Sequence, residues 1–417
     1  MITLKKYGLV GKKLTHSFSK EIHNKLTDYD YQLIELNEDE VKTFFENKEF
    51  SAVNVTMPYK QTVIPYLDFL SEKAQKIGAV NTVVNKNGKL YGYNTDYYGM
   101  KALIEKIGID FKGKKVLILG TGGTSKTARI LAEDLSSREI LIVSRKKSEN
   151  HITYQEAETR HTDADIIINT TPAGMYPNCD DTPIDISKFT TLEGVVDAVY
   201  NPLRTNLILD AKARGIKAEG GLYMLVMQAV FAVEKFLDTK ISKNTADKVF
   251  KNVLASKENI VLTGMPSSGK TTVGKLLNLD RFTFFDTDKE VEKRCGCSIK
   301  DLINQKGEKY FRDLETEVIK DLSKESGRII ATGGGAVLRS ENVTALKRNG
   351  KIFFINADIN RLKTTSDRPL SNTIDKLKQL FDSRIDIYNS TADVIVPDTT
   401  ISGEAEYILA KRKELLV

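Results

Sequence analysis

The chain has 417 residues, 41% of them hydrophobic and 28% charged, with 62 basic and 56 acidic residues and a net charge of +6. This length exceeds one ordinary core and predicts two or three globular domains. There is no low-complexity tract, and no apolar run reaches the roughly 20 residues that cross a bilayer. We therefore expect no membrane span.

The N-terminal stretch MITLKKYGLVGKKLTHS lacks the apolar core and cleavage site of a signal peptide, which predicts a cytoplasmic protein. The basic surplus is spread along the chain. It fits anionic small substrates, and without a nucleic-acid-binding motif it does not indicate a nucleic-acid partner. Cys179, Cys295 and Cys297 are predicted to be free thiols, because no histidine or further cysteine stands near to complete a metal site.

Short apolar runs alternate with helical stretches along nearly the whole chain. Such alternation predicts α/β architecture with mainly parallel sheets. An amphipathic stretch at 222–254 predicts one or two helices, and the polar segment 255–258 predicts a junction before a new strand–loop–helix unit. The predicted strands are 114–120, 139–144, 164–170, 194–199, 259–264, 328–334 and 351–357.

Four polar segments in the first 100 residues, THSFSKEIHN, NVTMPYK, GAVNT and GYNTDYYG, carry more hydrogen-bonding groups than a core needs. Ser17 and Ser19 are two residues apart, so both hydroxyls face one side of an extended segment. Lys60 and Asp96 form a candidate proton shuttle, because a lysine beside an aspartate can protonate an alkoxide as a hydride arrives. Ordinary turn chemistry is the alternative interpretation of each residue taken singly.

A first glycine-rich loop, in KKVLILGTGGTSKTARILA, joins a predicted strand to a helix through Gly120, Gly122 and Gly123. Glycines let the backbone approach a pyrophosphate, and the helix start supplies N–H groups and a positive dipole. The loop therefore predicts a dinucleotide site, with a merely tight turn as the alternative.

The next predicted strand ends in Ser144, Arg145 and Lys146, where an NAD-binding fold usually has an acidic residue for the ribose hydroxyl. Cations at this place suit a 2′-phosphate, so the pattern favours NADP(H) over NAD. A solvated basic turn is the alternative interpretation.

A second loop, GMPSSGKT, fits the pattern G-x-x-x-x-G-K-[ST] between a predicted strand and a predicted helix. Its backbone can wrap the β-phosphate of ATP, its lysine can reach the β- and γ-oxygens, and its threonine can ligate Mg²⁺. The predicted nucleotide-binding residues are Gly264, Ser267, Ser268, Gly269, Lys270, Thr271 and Thr272.

Acidic and basic residues after this loop predict the phosphoryl acceptor site. In FFDTD, Asp286 can serve the hydrated metal together with the loop threonine, and Asp288 can take a hydroxyl proton. Arg312, Arg384 and the open backbone of 333–335 predict a carboxylate receptor. Surface ion pairing is the alternative interpretation of each arginine.

In this order, the N-terminal segments resemble the shikimate dehydrogenase family, together with NTTPAGM (169–175), DAVYNPLRTNLI (197–208) and GLYMLVMQAVFAVEKF (221–236). The resemblance covers about residues 1–254 and implies reduction of 3-dehydroshikimate to shikimate with NADPH, with Lys60 and Asp96 as the catalytic pair. Two departures, Lys20 in place of a proline and GKK at 11–13 in place of Gly-x-Pro, remove no group needed for the chemistry. The resemblance also implies substrate contacts from Ser17, Ser19, Thr56, Asn81, Asp96, Tyr200 and Gln228, and a cofactor contact from Gly221.

Residues 258–417 resemble the shikimate kinase family, which phosphorylates the 3-hydroxyl of shikimate from ATP. The resemblance implies that Asp288 binds that hydroxyl and is the candidate base. It further places Arg361 beside the adenine and makes Arg368 the lid arginine that reaches the transferring phosphate. The stretch between Arg368 and Arg384 is a few residues shorter than the family's lid region. The implied carboxylate ligands are Arg312, Gly334, Gly335 and Arg384.

Together these patterns predict a bifunctional enzyme that uses NADP(H), ATP and Mg²⁺. The predicted domains are a substrate lobe at 1–100 completed by helices at about 222–254, a Rossmann lobe at 101–221, and a P-loop kinase domain at 258–417. A homodimer is left open. The alternatives are a metabolite-sensing regulator that has lost catalysis, and a quinate/shikimate dehydrogenase with a fused kinase.

Overall fold

The computed structural model describes residues 6–14, 17–362 and 373–416. The chain divides into two compact units, Met1–Val253 and Leu254–Val417. The elements of the first unit are β1 (Tyr7–Gly11), α1 (Ser19–Leu26), β2 (Tyr31–Glu35), α2 (Glu38–Asn47), β3 (Ala52–Val55), β4 (Phe69–Leu70), α3 (Glu72–Ile77), β5 (Thr82–Lys86), β6 (Lys89–Tyr93), α4 (Asp96–Ile107), β7 (Lys115–Leu119), α5 (Gly123–Asp134), β8 (Glu139–Ser144), β9 (Ile152–Thr153), α6 (Tyr154–Arg160), β10 (Ile166–Asn169), β11 (Gly194–Asp197), α7 (Asn206–Ala213), β12 (Lys217–Glu219), α8 (Leu222–Leu237) and α9 (Lys243–Lys257), whose last residues belong to the second unit.

The second unit begins as helix α9 ends, and a strand starts two residues after that helix. Its long helix α12 is interrupted at Gly307, where the backbone is left-handed with φ +86°. The elements of this unit are β13 (Asn259–Thr263), α10 (Lys270–Leu276), β14 (Thr283–Asp286), α11 (Thr287–Cys295), α12 (Ile299–Lys324), β15 (Arg328–Ala331), α13 (Ser340–Asn349), β16 (Gly350–Ile355), α14 (Ile374–Thr391), β17 (Val394–Val396) and α15 (Ile401–Leu415).

The first sheet has the strand order β2-β1-β3-β5-β6-β4. Its β1–β2, β1–β3 and β4–β6 pairs are parallel, whereas β3–β5 and β5–β6 are antiparallel. Strand β1 is buried along its whole length, as expected for a strand covered on both faces. The turns that follow β3 and β6 bring Lys60 and Asp96 to one end of this sheet.

The second sheet has the order β12-β11-β10-β7-β8-β9, and all its neighbouring strands are parallel. Counted from β7, this is the 3-2-1-4-5-6 order of a Rossmann fold. In such a sheet the ligand crevice lies at the carboxyl ends of the strands where the order reverses, here between β7 and β10. The first glycine-rich loop follows β7 at this place.

The third sheet, in the second unit, has the order β14-β15-β13-β16-β17, again with parallel neighbours. Strand β13 is central and fully buried, and the second glycine-rich loop follows it directly. The predicted α/β class with mainly parallel sheets is confirmed. Among the described residues, no helix is both long and apolar enough to cross a bilayer.

Helix α8 is mostly apolar and packs against α4 in the first unit. The two backbones come close at Gly99, where an added methyl group would lie 2.6 Å from the Met224 carbonyl oxygen. Farther along α4, Met100, Leu103 and Ile104 are buried in the same core as the β7 strand. Helix α4 therefore connects the region of the first sheet to the core of the second.

Candidate functional sites

Lys60 and Asp96 are in direct contact. The Lys60 Nζ lies 2.6 Å from the Asp96 Oδ2, with 16% and 9% of the two side chains exposed. Lys60 stands in the turn after β3, and Asp96 is the first residue of α4. A methyl group built on Gly123, at the start of α5, would lie 3.8 Å from the Lys60 Cδ. The ammonium–carboxylate pair thus lies beside the first glycine-rich loop.

A buried hydrogen-bond network around Asn81 holds the backbone of Thr95, the residue before Asp96. The Asn81 Oδ1 accepts a hydrogen bond from the Thr95 backbone N–H at 2.7 Å and one from the Thr82 hydroxyl at 3.1 Å. The Asn81 Nδ2 donates to the Thr95 Oγ1 at 3.0 Å and lies 3.5 Å from the Gln228 Oε1. Thr82 and Thr95 were missed by the sequence interpretation, although both are direct neighbours of predicted site residues. They fix the orientation of the Asn81 amide.

The remaining predicted substrate residues lie on separate segments, with Ser17, Thr56 and Tyr200 in loops and Ser19 at the start of α1. Ser17 and Ser19 are joined by a hydrogen bond from the Ser19 N–H to the Ser17 Oγ at 3.2 Å. Between them, the Phe18 ring contacts the Tyr200 ring, with centroids 5.2 Å apart. The serine segment and the Tyr200 loop are therefore brought together. Thr56 follows β3, and its backbone N–H donates to the Val10 carbonyl at 2.9 Å.

The first glycine-rich loop has the form of a phosphate cradle. Gly120 is left-handed with φ +105°, and an added methyl group there would lie 2.9 Å from the Thr170 Oγ1 at the end of β10. At Gly122, by contrast, an added methyl group would meet nothing within 4 Å. Helix α5 begins at the next residue and directs its first N–H groups toward this open space. The loop therefore fits a dinucleotide pyrophosphate.

The predicted cationic site lies at the end of β8. Ser144 ends the strand, and its hydroxyl accepts from the Lys146 backbone N–H at 3.3 Å. Arg145 and Lys146 are exposed.

Gly221 has a steric requirement of its own, because an added methyl group would lie 2.3 Å from the Ala198 carbonyl oxygen.

Asp197 is a buried carboxyl that the sequence interpretation did not single out. It ends β11 with no exposed surface. Its Oδ1 accepts from the Asn169 Nδ2 at 3.0 Å and from the Val199 N–H at 2.9 Å, and its Oδ2 accepts from the Thr205 hydroxyl at 2.6 Å. Burial raises the pKa of Asp197 to about 7, while these hydrogen bonds oppose the rise. Asp197 thereby fastens the loop of Tyr200 to the end of β10. The available signal was an acidic residue at the end of an apolar strand.

In the second unit, the loop after β13 wraps around the ammonium of Lys270. The buried Lys270 Nζ donates to the Met265 carbonyl at 2.7 Å and to the Gly264 carbonyl at 3.0 Å, and lies 3.4 Å from the Ser268 Oγ. Gly264, Ser267 and Gly269 all have positive φ. This curled backbone before a helix fits the phosphates of a nucleoside triphosphate.

Thr271 and Asp286 are adjacent, with the Thr271 hydroxyl donating to the Asp286 Oδ2 at 2.6 Å. A hydroxyl and a carboxylate beside a phosphate loop suit Mg²⁺, which keeps several waters and few protein ligands. The part of the chain that the structure describes holds no cluster of three or more His, Cys, Asp or Glu that could bind a metal. Thr272 follows in the exposed first turn of α10.

The predicted carboxylate receptor is assembled around the glycine turn 333–335. An added methyl group on Gly335 would lie 2.5 Å from both terminal nitrogens of Arg312, and one on Gly333 would lie 2.5 Å from the Asp288 Oδ1. The Arg384 Nη1 donates to the Gly334 carbonyl at 3.1 Å. The three predicted side chains therefore converge on one turn.

Glu315 is a buried carboxylate that forms an ion pair with Arg312. The Arg312 Nη1 donates to the Glu315 Oε2 at 2.7 Å. Burial raises the pKa of Glu315, and the charge of Arg312 offsets part of the rise. The ion pair orients the guanidinium while leaving its charge near Gly335.

Arg361 and Arg368 are the two remaining predicted arginine ligands of the kinase. Arg361 donates to Asp398 and to the Thr399 carbonyl, the latter at 3.1 Å and 3.2 Å from its two terminal nitrogens. Arg368 and the stretch 363–372 of the predicted lid lie outside the described residues.

Two family models match the chain. Residues 9–83 match the shikimate dehydrogenase substrate binding domain, and residues 266–412 match shikimate kinase. The shikimate dehydrogenase (NADP(+)) of Clostridium perfringens (strain SM101 / Type A) is 38% identical over 268 residues, which are 60% of this chain and 98% of that protein.

Solved structures agree with this match. Shikimate dehydrogenase 1 from Peptoclostridium difficile has 36% identity and a TM-score of 0.56, with 60% of this chain and 97% of that chain covered. Shikimate 5-dehydrogenase from Thermus thermophilus, in complex with NADP(H) and shikimate, has 25% identity and a TM-score of 0.54, with 60% and 99% covered. The chain therefore belongs to the shikimate dehydrogenase family through its N-terminal part, and a shikimate kinase domain follows in the same polypeptide.

Proposed function

We propose that the chain is a bifunctional enzyme of the shikimate pathway. It reduces 3-dehydroshikimate to shikimate with NADPH and then phosphorylates shikimate to shikimate 3-phosphate with ATP. The observation that carries the proposal is that each unit pairs a nucleotide cradle with reactive side chains of the matching chemistry. In the first unit the Lys60–Asp96 pair lies beside the dinucleotide loop, and in the second two arginines converge beside the P-loop.

In the reduction, Lys60 and Asp96 handle the proton. NADPH, when bound, supplies the hydride that the carbonyl carbon accepts. Lys60 gives a proton from its Nζ to the carbonyl oxygen as negative charge develops there, and Asp96 holds the ammonium in place at 2.6 Å. Solvent then restores the proton to Lys60. The mostly buried position of both groups strengthens their interaction with the charge that develops.

The substrate's hydroxyls and carboxylate are bound by Ser17, Ser19, Thr56, Asn81, Tyr200 and Gln228. Support for this proposal comes from the contact of Phe18 with Tyr200 and from the amide network around Asn81. Gly120, Gly122, Gly123 and Gly221 line the cofactor's path, and Ser144, Arg145 and Lys146 take its 2′-phosphate.

The choice of cofactor separates this function from the quinate alternative with NAD. Because Arg145 and Lys146 are exposed cations at the end of β8, we expect the double change of both to alanine to raise the KM for NADPH about tenfold and leave that for NADH nearly unchanged. Lys112→Ala, an exposed change elsewhere in the unit, is the control. An equal rise in the KM for NADPH and in the KM for NADH would favour the quinate/shikimate dehydrogenase that uses NAD.

In the phosphorylation, Asp288 and the arginines act on shikimate. ATP, when bound, would supply the γ-phosphoryl group and leave as ADP when the bond to the β-phosphate oxygen breaks, and Mg²⁺, held by Thr271 and Asp286, would offset the charge of the phosphates. Asp288 takes the proton of the 3-hydroxyl as that oxygen forms its bond to phosphorus. Arg312, Arg384 and the backbone of 334–335 hold the carboxylate, which fixes the ring so that the hydroxyl meets Asp288. Arg361 binds on the adenine side, and Arg368 neutralises the transferring phosphate.

We further propose the domain bounds 1–100 with 222–254, 101–221 and 258–417. The first and second sheets support the first two, since strands β1–β6 fall in the first range and β7–β12 in the second. A cytoplasmic location and a homodimer stay predictions; sedimentation of the purified chain tests the dimer.

The direct test is an assay of the purified chain with 3-dehydroshikimate, NADPH, ATP and Mg²⁺. We expect oxidation of one NADPH for each shikimate formed and one ADP for each shikimate 3-phosphate formed. Binding of both nucleotides without either product would favour a regulator that has lost catalysis. The intact contacts between Lys60 and Asp96 and between Thr271 and Asp286 count against such a regulator.

A further inference from the structure

Tyr388 on helix α14 has no part in the chemistry described above, yet it lies between the two loops of the kinase site. Its side chain is 1% exposed, and its ring stacks on Phe354 with centroids 4.9 Å apart and planes 9° apart. This stacking fixes the direction of the hydroxyl. Burial raises the pKa of Tyr388 to about 12, so the phenol keeps its proton and remains a donor at neutral pH.

The Tyr388 hydroxyl contacts one carbonyl from each loop. It lies 3.0 Å from the carbonyl oxygen of Gly264, the first residue of the P-loop. It also contacts the carbonyl oxygen of Gly334, in the middle of the carboxylate-binding turn. A phenol has one proton to donate, so the two carbonyls share it.

Each of these carbonyls has a second donor, and that donor is a proposed substrate ligand. The Lys270 Nζ donates to the Gly264 carbonyl at 3.0 Å. The Arg384 Nη1 donates to the Gly334 carbonyl at 3.1 Å. A continuous series of hydrogen bonds therefore runs from Lys270, the proposed ATP ligand, through Tyr388 to Arg384, the proposed ligand of the shikimate carboxylate.

We propose that Tyr388 is a positioning residue that couples the nucleotide site to the shikimate site of the kinase. This inference rests on the proposed kinase function. When Lys270 or Arg384 turns toward its ligand, the carbonyl it leaves is satisfied by the shared proton, so the hydrogen bonding of one loop depends on the occupancy of the other. By linkage, each ligand then changes the affinity for the other by the same factor.

The test is Tyr388→Phe, which removes the hydroxyl and keeps the stacked ring. Calorimetric titration measures the dissociation constant of ADP, with Mg²⁺, in the presence and absence of saturating shikimate, and the ratio is the coupling factor. ADP is the titrant because shikimate is also a proposed ligand of the first unit. We expect a coupling factor different from one in the wild type and close to one in Tyr388→Phe, with the KM for both kinase substrates raised about three- to tenfold. Tyr407→Phe, which removes a phenol hydroxyl from α15, is the matched control.

The outcomes separate this inference from the proposed function. Phosphorylation of shikimate with a wild-type coupling factor of one, or with the same factor in Tyr388→Phe, overturns the inference and leaves the kinase assignment standing. Absence of ATP-dependent phosphorylation of shikimate by the wild type overturns the kinase assignment itself. Dehydrogenase activity of the same chain reports that the variant was made, and its melting curve reports whether the second unit is folded. If Tyr388→Phe does not fold, Phe354→Leu decides, because it loosens the ring that fixes the direction of the hydroxyl and is expected to bring the coupling factor part of the way toward one.

Discussion

The Lys60 ammonium and the Asp96 carboxylate lie 2.6 Å apart, although they come from turns 36 residues apart in sequence. Both side chains are mostly buried at this place. Replacing Lys60 by alanine should slow turnover in the reduction reaction about 10²- to 10⁴-fold, since the proposed proton donor is lost. Reduction of 3-dehydroshikimate is measured by the loss of NADPH absorbance. The kinase reaction of the same sample should be unchanged.

Lys101→Ala is the control for this change, because it removes a partly exposed lysine from α4. A Lys60→Ala protein that reduced its substrate at the wild-type rate would remove Lys60 from the mechanism. Loss of both activities in a folded sample would contradict the assignment of separate sites.

Lys270→Ala should have the opposite effect. Its ammonium is buried and bound by carbonyls of the P-loop, so its loss removes the charge that we propose binds the ATP phosphates and also leaves those carbonyls without this donor. We expect kinase turnover to fall about 10²- to 10³-fold with dehydrogenase activity retained. ADP release measures the effect, with the exposed Lys275→Ala on the same helix as control. Equal kinase activity in the two variants would disprove the assignment.

Asp197 should make the stability of the first unit depend on pH. Its pKa is about 7 in the folded chain and close to 3.8 when unfolded, so between these values the folded state holds the proton and the unfolded state does not. The resulting stabilisation is complete below the unfolded pKa and is lost as the pH rises through 7. Wild type should therefore lose more stability than Asp197→Asn between pH 5 and pH 8.

The measurement is the heat resistance of dehydrogenase activity at the two pH values. Asp110→Asn, at an exposed position, should follow the wild type. If Asp197→Asn and wild type shifted in parallel, the buried carboxyl would not titrate in this range.

Two glycines of the first unit should respond differently to a methyl group. Gly122 has open space and φ −78°, so Gly122→Ala should fold normally and only raise the KM for NADPH, because the methyl group enters the phosphate cradle. Gly221→Ala would place its methyl group 2.3 Å from the Ala198 carbonyl and should destabilise the unit by about 1–3 kcal/mol. Melting temperatures and NADPH titrations distinguish the two. Similar melting temperatures would contradict the steric argument.

The sequence predicted best what depends on short segments. The α/β class and the family assignments are confirmed, because strand periodicity and loops such as GMPSSGKT are local patterns. The assignments of individual site residues stay predictions, although Asp288, Arg312 and Arg384 converge on one turn as expected.

What the sequence could not predict were contacts made by ordinary residues across long separations. Tyr388 and Gly264 are 124 residues apart, and the sequence around each residue does not indicate the hydrogen bond between them. Asp197 lies in an apolar strand, and its partner Asn169 comes 28 residues earlier. Such residues take their role from the topology of the sheet, which brings the ends of distant strands together.

Helix α4 has a consequence for the catalytic cycle. Its first residue, Asp96, follows β6 closely, and the preceding Thr95 is hydrogen-bonded to Asn81 beside the first sheet, so the ammonium and the carboxylate both belong to the first lobe. A hinge motion between the two sheets would therefore carry the pair as one unit and change only its distance from the cofactor loop at Gly123. An enzyme opened to admit its ring acid would keep its proton donor assembled, and closure would bring the hydride to it.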